Sequence, residues 1–136
     1  MRVKDAMSPI SAIVGPEHTL RQAATRMVQH RTGAAVVLDG SLPGPAVVTE
    51  RDLLRAVAAG GDPETVTVEE HMTEQVVTAA PDWPIGQAAG VMIKHGVRHV
   101  LVFDGSELAG IISMRDVVRV GGLAPVAEAA AAAAQS

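Results

Sequence analysis

Cysteine and tyrosine are both absent from this sequence, and Trp83 and Phe103 are its only aromatic residues. Without cysteine the chain can form no disulfide, no thiolate zinc site and no cysteine nucleophile. With so few aromatic rings it also lacks the stacking platforms on which proteins hold single-stranded nucleic acid. The sequence therefore gives no sign of secretion, and its core must be built from Ala, Val, Ile, Leu and Met.

An excess of basic charge and long apolar runs are lacking too. Lys and Arg number 11 and Asp and Glu number 15, so the formal net charge is −4 at pH 7, which argues against a nucleic-acid binder. No apolar run approaches the roughly 20 residues that cross a bilayer, and the N-terminus does not resemble a signal peptide. We therefore expect a cytoplasmic protein that binds neither nucleic acid nor membranes.

The sequence contains the same pattern twice. Residues 3–40 align with residues 68–105 at a spacing of 65 residues, and residues 47–52 align with residues 111–116 at a spacing of 64. The spacing changes because the first copy carries one extra residue after its Asp-Gly turn. We place the parts of the chain as follows: first repeat 2–58, linker 59–67, second repeat 68–121 and alanine-rich tail 122–136.

Each copy predicts a short extended segment, a helix, two strands and a second helix. Thr19 and Gln22 have the spacing of a capping box, and apolar residues then recur at helical spacing. The β-branched runs 35–38 and 100–103 each end at Asp-Gly, which is a strong turn signal. We therefore predict an α/β (α+β) fold built from two β-α-β-β-α repeats.

The tail that follows Gly121-Gly122 consists mostly of alanine and has no long-range apolar pattern. Such a segment is typical of a frayed helix or of disorder at a chain end. A weakly docked helix is the alternative.

Several stretches of the repeats carry a resemblance to a known family. They are Val3–Pro9, Val68–Thr73, the two helices with the pattern Ala-Ala-x-x-Met, Val97–Asp104 and above all Gly110–Asp116. In this last stretch the family has a glycine, two hydrophobic residues, Ser or Thr, two variable residues and Asp. Each repeat therefore resembles a cystathionine-β-synthase (CBS) domain, and the chain is identified as a stand-alone tandem pair, or Bateman module.

The resemblance implies two pseudo-twofold-related repeats packed through their sheets, with two clefts that bind AMP, ATP or S-adenosylmethionine. The Asp of the motif would hold the ribose hydroxyls, and Ser or Thr would lie near the phosphate or ribose. Arg51 and Arg115, beside each Asp, can supply charge for phosphates. The candidate binding residues are Ile13, Ala34, Thr49, Arg51 and Asp52 in the first cleft, and Val77, Arg98, His99, Ser113, Arg115 and Asp116 in the second.

The same residues have a simpler interpretation as helix caps. Thr-x-x-Asp and Ser-x-x-Asp resemble the capping box, which is worth about 1 kcal/mol to a helix start without any ligand. Both roles can coexist, because a helix start also offers free N–H groups and partial positive charge to a phosphate. In the first copy Ala46 replaces the motif glycine, which is a departure from the family pattern. The second cleft fits a phosphorylated ligand better, because Arg98 and His99 stand at its strand entry where the first cleft has Gly33 and Ala34, although Arg98 can equally be a surface charge.

The function expected from the sequence is a non-catalytic ligand sensor that requires no cofactor. No nucleophile motif or phosphate-binding loop is present, and Gly96 separates His95 from His99, so neither an enzyme nor a metal site is predicted. We expect a complete chain that forms a homodimer through its apolar second helices (Leu53, Leu54 and Val57) and signals to an unidentified protein partner. The alternative is a structural dimer with unoccupied clefts, used in stress or dormancy.

The abundance of alanine and the excess of Arg over Lys, nine to two, are typical of a bacterium with a GC-rich genome.

Overall fold

The computed structural model describes residues 1–135, which form two compact units. The repeat-1 unit is residues 11–76, and the repeat-2 unit combines residues 1–10 with the chain from residue 77 onward. Each unit contains one three-stranded sheet and its helices. The elements are α1 (Val3–Ala6), β1 (Ile13–Val14), α2 (Leu20–Gln29), β2 (Ala34–Val37), β3 (Ala46–Thr49), α3 (Glu50–Ala58), a 3₁₀ turn (Val68–Glu70), β4 (Thr78–Ala79), α4 (Ile85–His95), β5 (His99–Asp104), β6 (Glu107–Ser113), α5 (Met114–Gly121) and α6 (Ala124–Ala134).

The two sheets share one topology. In the repeat-1 unit β1 pairs in parallel with β2, and β2 pairs antiparallel with β3. In the repeat-2 unit β4, β5 and β6 follow the same order and directions, with a bulge between Val102 and Phe103. The predicted mixed class of helices and strands in two similar repeats is confirmed. The packing of the repeats through their sheets stays a prediction.

Helix boundaries follow the local sequence signals. The Thr19 N–H donates to Oε1 of Gln22 at 2.9 Å, and the Gln22 N–H donates back to the Thr19 hydroxyl at 3.2 Å, so the predicted capping box starts α2. At the end of α4, Gly96 adopts a left-handed conformation with φ of 64°. Glycine suits this position because it lacks the Cβ that other residues would strain.

The core of each unit includes a segment from the start of the other repeat. Val3 and Ala6 of α1 are buried in the repeat-2 core beside Met92. The Val3 N–H donates to the Trp83 carbonyl at 2.8 Å, and the backbones of residues 8 and 111 exchange hydrogen bonds at 2.9 Å. The compact unit therefore begins with residues that the sequence analysis assigned to the first repeat.

The reciprocal exchange completes the repeat-1 unit. Val68 is buried in the repeat-1 core, and its N–H donates to the His18 carbonyl at 2.8 Å. Thr73 pairs its backbone with that of Val47 through hydrogen bonds of 2.8 and 3.0 Å. The contacts of each compact unit therefore cross the boundaries that the sequence predicted for the repeats.

The alanine-rich tail forms helix α6, and this helix packs against α4 and α5. Val126 and Ala129 lie half-buried against the repeat-2 core, and Pro125 provides a favourable first turn. The structure therefore favours the docked-helix alternative over a disordered tail. Alanine is a strong helix former, and Val126 and Ala129 hold the helix to the core without the long apolar stripe that a docked helix usually carries.

Because the segments are exchanged, a substitution at the start of one repeat should destabilise the compact unit that contains the other repeat. Val3→Ala should lower the free energy of unfolding by about 2 kcal/mol, because it removes two methyl groups from a fully buried site. Hydrogen exchange should then accelerate more in α4 than in α2. Val68→Ala should give the opposite order, and Val28→Ala, at an exposed position, should change neither. Preferential loosening of α2 by Val3→Ala would contradict the exchange.

The contact between Thr67 and Glu70 in the 3₁₀ turn should be sensitive to acid. The Thr67 N–H and hydroxyl donate to Oε2 of Glu70 at 2.7 and 3.1 Å, and these bonds, chiefly the backbone one, hold the pKa of Glu70 below its usual value. Because this pKa is lower in the folded than in the unfolded chain, the contact stabilises the fold at neutral pH. That contribution is lost as the pH falls through the folded pKa.

Titration of the Glu70 carboxyl carbon by NMR measures this shift. Thr67→Ala should raise the pKa only part of the way, because the backbone donor remains. A Glu70 pKa at or above that of an ordinary glutamate would refute the contact.

Candidate functional site

Each sheet brings the predicted binding segments to one of its edges. In the repeat-1 unit Ala34, the first residue of β2, pairs with Thr49, the last residue of β3. Ile13 at the start of β1 pairs with Val36, two residues farther along β2. The equivalent pairs in the repeat-2 unit include His99 opposite Ser113. Two strand starts and one strand end therefore meet where the second helix of each repeat begins.

In the repeat-1 unit Thr49 and Asp52 form a reciprocal cap at the start of α3. The Thr49 N–H and hydroxyl donate to Oδ2 of Asp52 at 2.8 and 3.0 Å, and the Asp52 N–H donates to the Thr49 hydroxyl oxygen at 3.3 Å. Both side chains are half-buried. The capping interpretation of the Thr-x-x-Asp motif is thus confirmed.

In the repeat-2 unit Ser113 and Asp116 form the same cap. The Ser113 N–H donates to Oδ2 of Asp116 at 2.9 Å, and the Asp116 N–H donates to the Ser113 hydroxyl oxygen at 3.1 Å. The Asp116 side chain is 15% exposed, and its other oxygen, Oδ1, pairs with the Arg119 guanidinium at 3.3 Å. Arg119 also donates to the Ala6 carbonyl at 3.3 Å, so α1 helps to position it.

The first N–H groups of both helices are used inside the protein. The Glu50 N–H donates to the Gly33 carbonyl, and the Met114 N–H donates to the Arg98 carbonyl, each at 2.9 Å. With the caps, two N–H groups of each helix start are engaged. The expectation of free N–H groups for a phosphate is therefore wrong for the first and third residues of each helix.

The remaining predicted residues differ in how far they are accessible. Ala34 is only 3% exposed, so its side chain belongs to the core and only its backbone lines the edge. Val77 packs against the repeat-2 core, and its carbonyl accepts from the Leu101 N–H at 3.1 Å. Thr78, the equivalent of Ile13, is exposed instead. Matching the copies at their spacing of 65 residues would have identified Thr78.

Among the other predicted binding residues, Ile13, Arg98 and Arg115 are exposed, whereas Arg51 and His99 are half-buried.

We call the place in each unit where the last strand of the sheet meets the second helix of the repeat the junction. The two junctions differ in charge. Where the repeat-1 unit has Glu50 at the helix start and Gly33 at the strand start, the repeat-2 unit has Met114 and Arg98. The repeat-2 junction therefore lacks one carboxylate and gains one guanidinium. Arg119 is not part of this difference, because Arg55 occupies the equivalent position in the repeat-1 unit. The contact of Arg119 with Asp116 was not among the sequence predictions, although its position three residues after Asp116 on a helix was the signal for it.

Within residues 1–135, no three or more His, Asp or Glu side chains lie close enough to hold a metal ion. None of the helices in the same range has the length and apolar character needed to cross a bilayer.

The family model of the CBS domain matches the chain twice, over residues 3–59 and residues 68–122. The chain belongs to the CBS-domain family. Its two CBS repeats are the two copies that the internal alignment showed, and their Thr49–Asp52 and Ser113–Asp116 pairs occupy the motif through which the resemblance was first seen.

Similar proteins occur in bacteria and archaea. The CBS domain-containing protein YhcV of Bacillus subtilis is 36% identical over 117 residues, which are 85% of this chain and 81% of YhcV. Hypoxic response protein 1 of Mycobacterium tuberculosis is 33% identical over 119 residues, or 85% of this chain and 82% of that protein. The solved CBS domain protein PAE2072 from Pyrobaculum aerophilum, complexed with AMP, is 31% identical with a TM-score of 0.80, covering 94% of this chain and 99% of PAE2072.

The geometry of the CBS junctions predicts that their hydroxyls stabilise the fold. Ser113→Ala should lower the free energy of unfolding by about 1 kcal/mol, because the half-buried Asp116 N–H loses its acceptor. Thr49→Ala should have a similar effect on α3. Urea unfolding measures both, with Ser106→Ala in an exposed turn as the control. Equal stabilities for Ser113→Ala and Ser106→Ala would contradict the capping role.

Proposed function

We propose that this chain is a regulatory module that binds an adenosyl ligand such as AMP, ATP or S-adenosylmethionine at its CBS junctions. One observation carries the proposal. A half-buried carboxylate stands where strand meets helix in both repeats, in a fold that matches an AMP-bound CBS protein along nearly its whole length. The ligand is the effector of the module, and the chain requires no cofactor.

The carboxylate of Asp116 suits a ribose diol. A carboxylate has about four acceptor positions, and here one at each oxygen is used, by the Ser113 N–H and by Arg119. The remaining positions can accept the two hydroxyl protons of a ribose. Because the cap holds Asp116 at the helix start, the acceptor is already oriented before a ligand arrives.

A phosphate group would find its positive charge in the repeat-2 unit. Arg98 and Arg115 are exposed beside the junction, His99 lies half-buried opposite Ser113, and Arg119 is bound to Asp116 itself. The repeat-1 junction has Arg51 and Arg55 at the positions of Arg115 and Arg119, but it has Gly33 in place of Arg98 and adds the carboxylate of Glu50. We therefore propose that a phosphorylated ligand binds the repeat-2 junction more tightly than the repeat-1 junction.

The output of the module is protein contact rather than catalysis. Leu54 and Val57 of α3 are exposed, whereas Leu53 packs against its own core. We propose that α3 forms a homodimer interface through Leu54 and Val57, that the chain acts in the cytoplasm of a bacterium, and that a further protein reads its state. A ligand can shift that state only by its difference in affinity between two conformations.

A structural dimer with unoccupied junctions is the second candidate. It is favoured by the observation that both motif carboxylates already have partners inside the protein, and by a relative named Hypoxic response protein 1. In that case the Ser and Asp residues would serve only as caps. The two candidates differ in their response to added ligand.

Thermal unfolding with AMP, ADP, ATP and S-adenosylmethionine distinguishes them. At a ligand concentration a hundredfold above Kd, binding should add about 2.7 kcal/mol of stability and raise Tm by several degrees. Asp116→Asn, which keeps a cap acceptor, should reduce that shift more than Asp52→Asn. Each shift is measured against the same variant without ligand.

Glu107→Gln, at the opposite end of β6, is the matched control and should respond as the wild type does. A flat response to all four compounds would support the structural dimer. A larger loss from Asp52→Asn would reverse the proposed order of the two junctions.

A further inference from the structure

Arg119 joins two helices of the repeat-2 unit. Its Nη2 atom donates to Oδ1 of Asp116 on α5 and to the Ala6 carbonyl of α1, each at 3.3 Å. The Ala6 carbonyl lies at the end of a four-residue helix, where carbonyl groups have no partner inside the helix and a positive charge is favourable. The guanidinium therefore contacts both the proposed ribose acceptor and residues 1–10, which we call the N-terminal segment.

The repeat-1 unit does not repeat this arrangement. Arg55 occupies the position equivalent to Arg119, and Asp52 occupies that of Asp116. Within residues 1–135, the structure has an ion pair between Arg119 and Asp116 but none between Arg55 and Asp52. Arg55 is therefore a matched control for any effect of Arg119.

The N-terminal segment lies beside the repeat-2 junction. Val3 is fully buried in the repeat-2 core, and the backbones of Ser8 and Ile111 exchange hydrogen bonds at 2.9 Å. A Cβ on Gly110 would lie 2.6 Å from the Ser8 carbonyl oxygen, so the segment runs against β6 at a separation that only glycine permits. Ile111 is two residues before the end of β6. The segment thus contacts the strand that leads to the junction and, through Arg119, the carboxylate at the junction.

We propose that Arg119 is a positioning residue that couples the binding of a ligand at the repeat-2 junction to the docking of the N-terminal segment. The inference rests on the proposed function, because it concerns a ligand held by Asp116. Arg119 uses one acceptor position of that carboxylate and leaves others for the ribose hydroxyls. The docked segment holds Arg119, and Arg119 holds Asp116 in one orientation. An oriented carboxylate loses less conformational entropy when a ligand binds.

The coupling acts in both directions. If the docked N-terminal segment raises the affinity for a ligand, the ligand stabilises the docked segment by the same factor, because the two equilibria are linked. The Arg119 side chain is 59% exposed, and since exposed ion pairs contribute little we expect a factor of about three. A ligand therefore changes how firmly residues 1–10 are held, and this segment continues directly into the repeat-1 unit at Ser11.

The first test contains no ligand. The backbone N–H groups of Met7 and Ser8 are both hydrogen-bonded inside the repeat-2 unit, so their hydrogen exchange reports the docking of the N-terminal segment. Arg119→Ala should accelerate exchange at both amides about threefold, and Arg55→Ala should leave them unchanged. The amides of β5 should exchange as in the wild type in both variants. Unchanged exchange at Met7 and Ser8 in Arg119→Ala overturns the link to the segment.

The second test measures the affinity for AMP by calorimetry. Val3→Ala, which loosens the N-terminal segment, should weaken binding about threefold. The matched control Val102→Ala removes the same two methyl groups from an equally buried position of β5 in the same core, and it should leave the affinity unchanged. In the Arg119→Ala background, Val3→Ala should have no further effect on the affinity, because the connection is already lost. Losses of affinity that add in the double variant overturn Arg119 as the connection.

Hydrogen exchange in β6 verifies that each variant is folded. If Val3→Ala does not fold, Asp5→Ala takes its place, since the Asp5 carboxylate accepts from the Arg2 N–H at 2.8 Å in an exposed part of the segment. A wild type that binds none of AMP, ADP, ATP and S-adenosylmethionine refutes the proposed function and the coupling with it. Wild-type exchange at Ser8 in Arg119→Ala refutes the coupling alone, so the two failures are distinguishable.

Discussion

The fold depends on the exchange of two short segments between the repeats. Val3 enters the core of the repeat-2 unit and Val68 enters the core of the repeat-1 unit. Each sheet has only three strands, and a core of this size buries little apolar surface without an added segment. Each repeat without the other would therefore lack a fully buried residue of its core. The exchange also positions Arg119, whose guanidinium reaches the Ala6 carbonyl as well as Asp116.

The candidate site is built from interactions that the fold already needs. The Ser113–Asp116 pair fixes the start of α5 and, through the same atoms, orients a carboxylate at the sheet edge. The conformational entropy that Asp116 would lose on binding a ligand is small, because the cap already holds its side chain in place. The proposed binding role would thus use the geometry that the cap already provides, and a measured response to a ligand separates the two roles.

The two repeats have diverged around this shared frame. The repeat-2 unit has Arg98 near its junction where the repeat-1 unit has Gly33, and α6 packs on its helices α4 and α5. The repeat-1 unit has Glu50 at its junction and leaves Leu54 exposed. The proposed ligand would therefore find more positive charge in the repeat-2 unit, and the proposed homodimer would use the exposed apolar residues of α3 in the repeat-1 unit.

The sequence by itself determined the duplication, the order of helices and strands, and the helix caps. These features depend on residues close together along the chain, such as the Thr19–Gln22 and Thr49–Asp52 pairs. Only the tertiary structure decided which repeat receives α1, that Ala34 is too deeply buried to offer its side chain, and that α6 docks. These outcomes depend on packing between segments far apart in sequence, where Val3 reaches a core more than 80 residues away in Met92 and no local pattern records the contact.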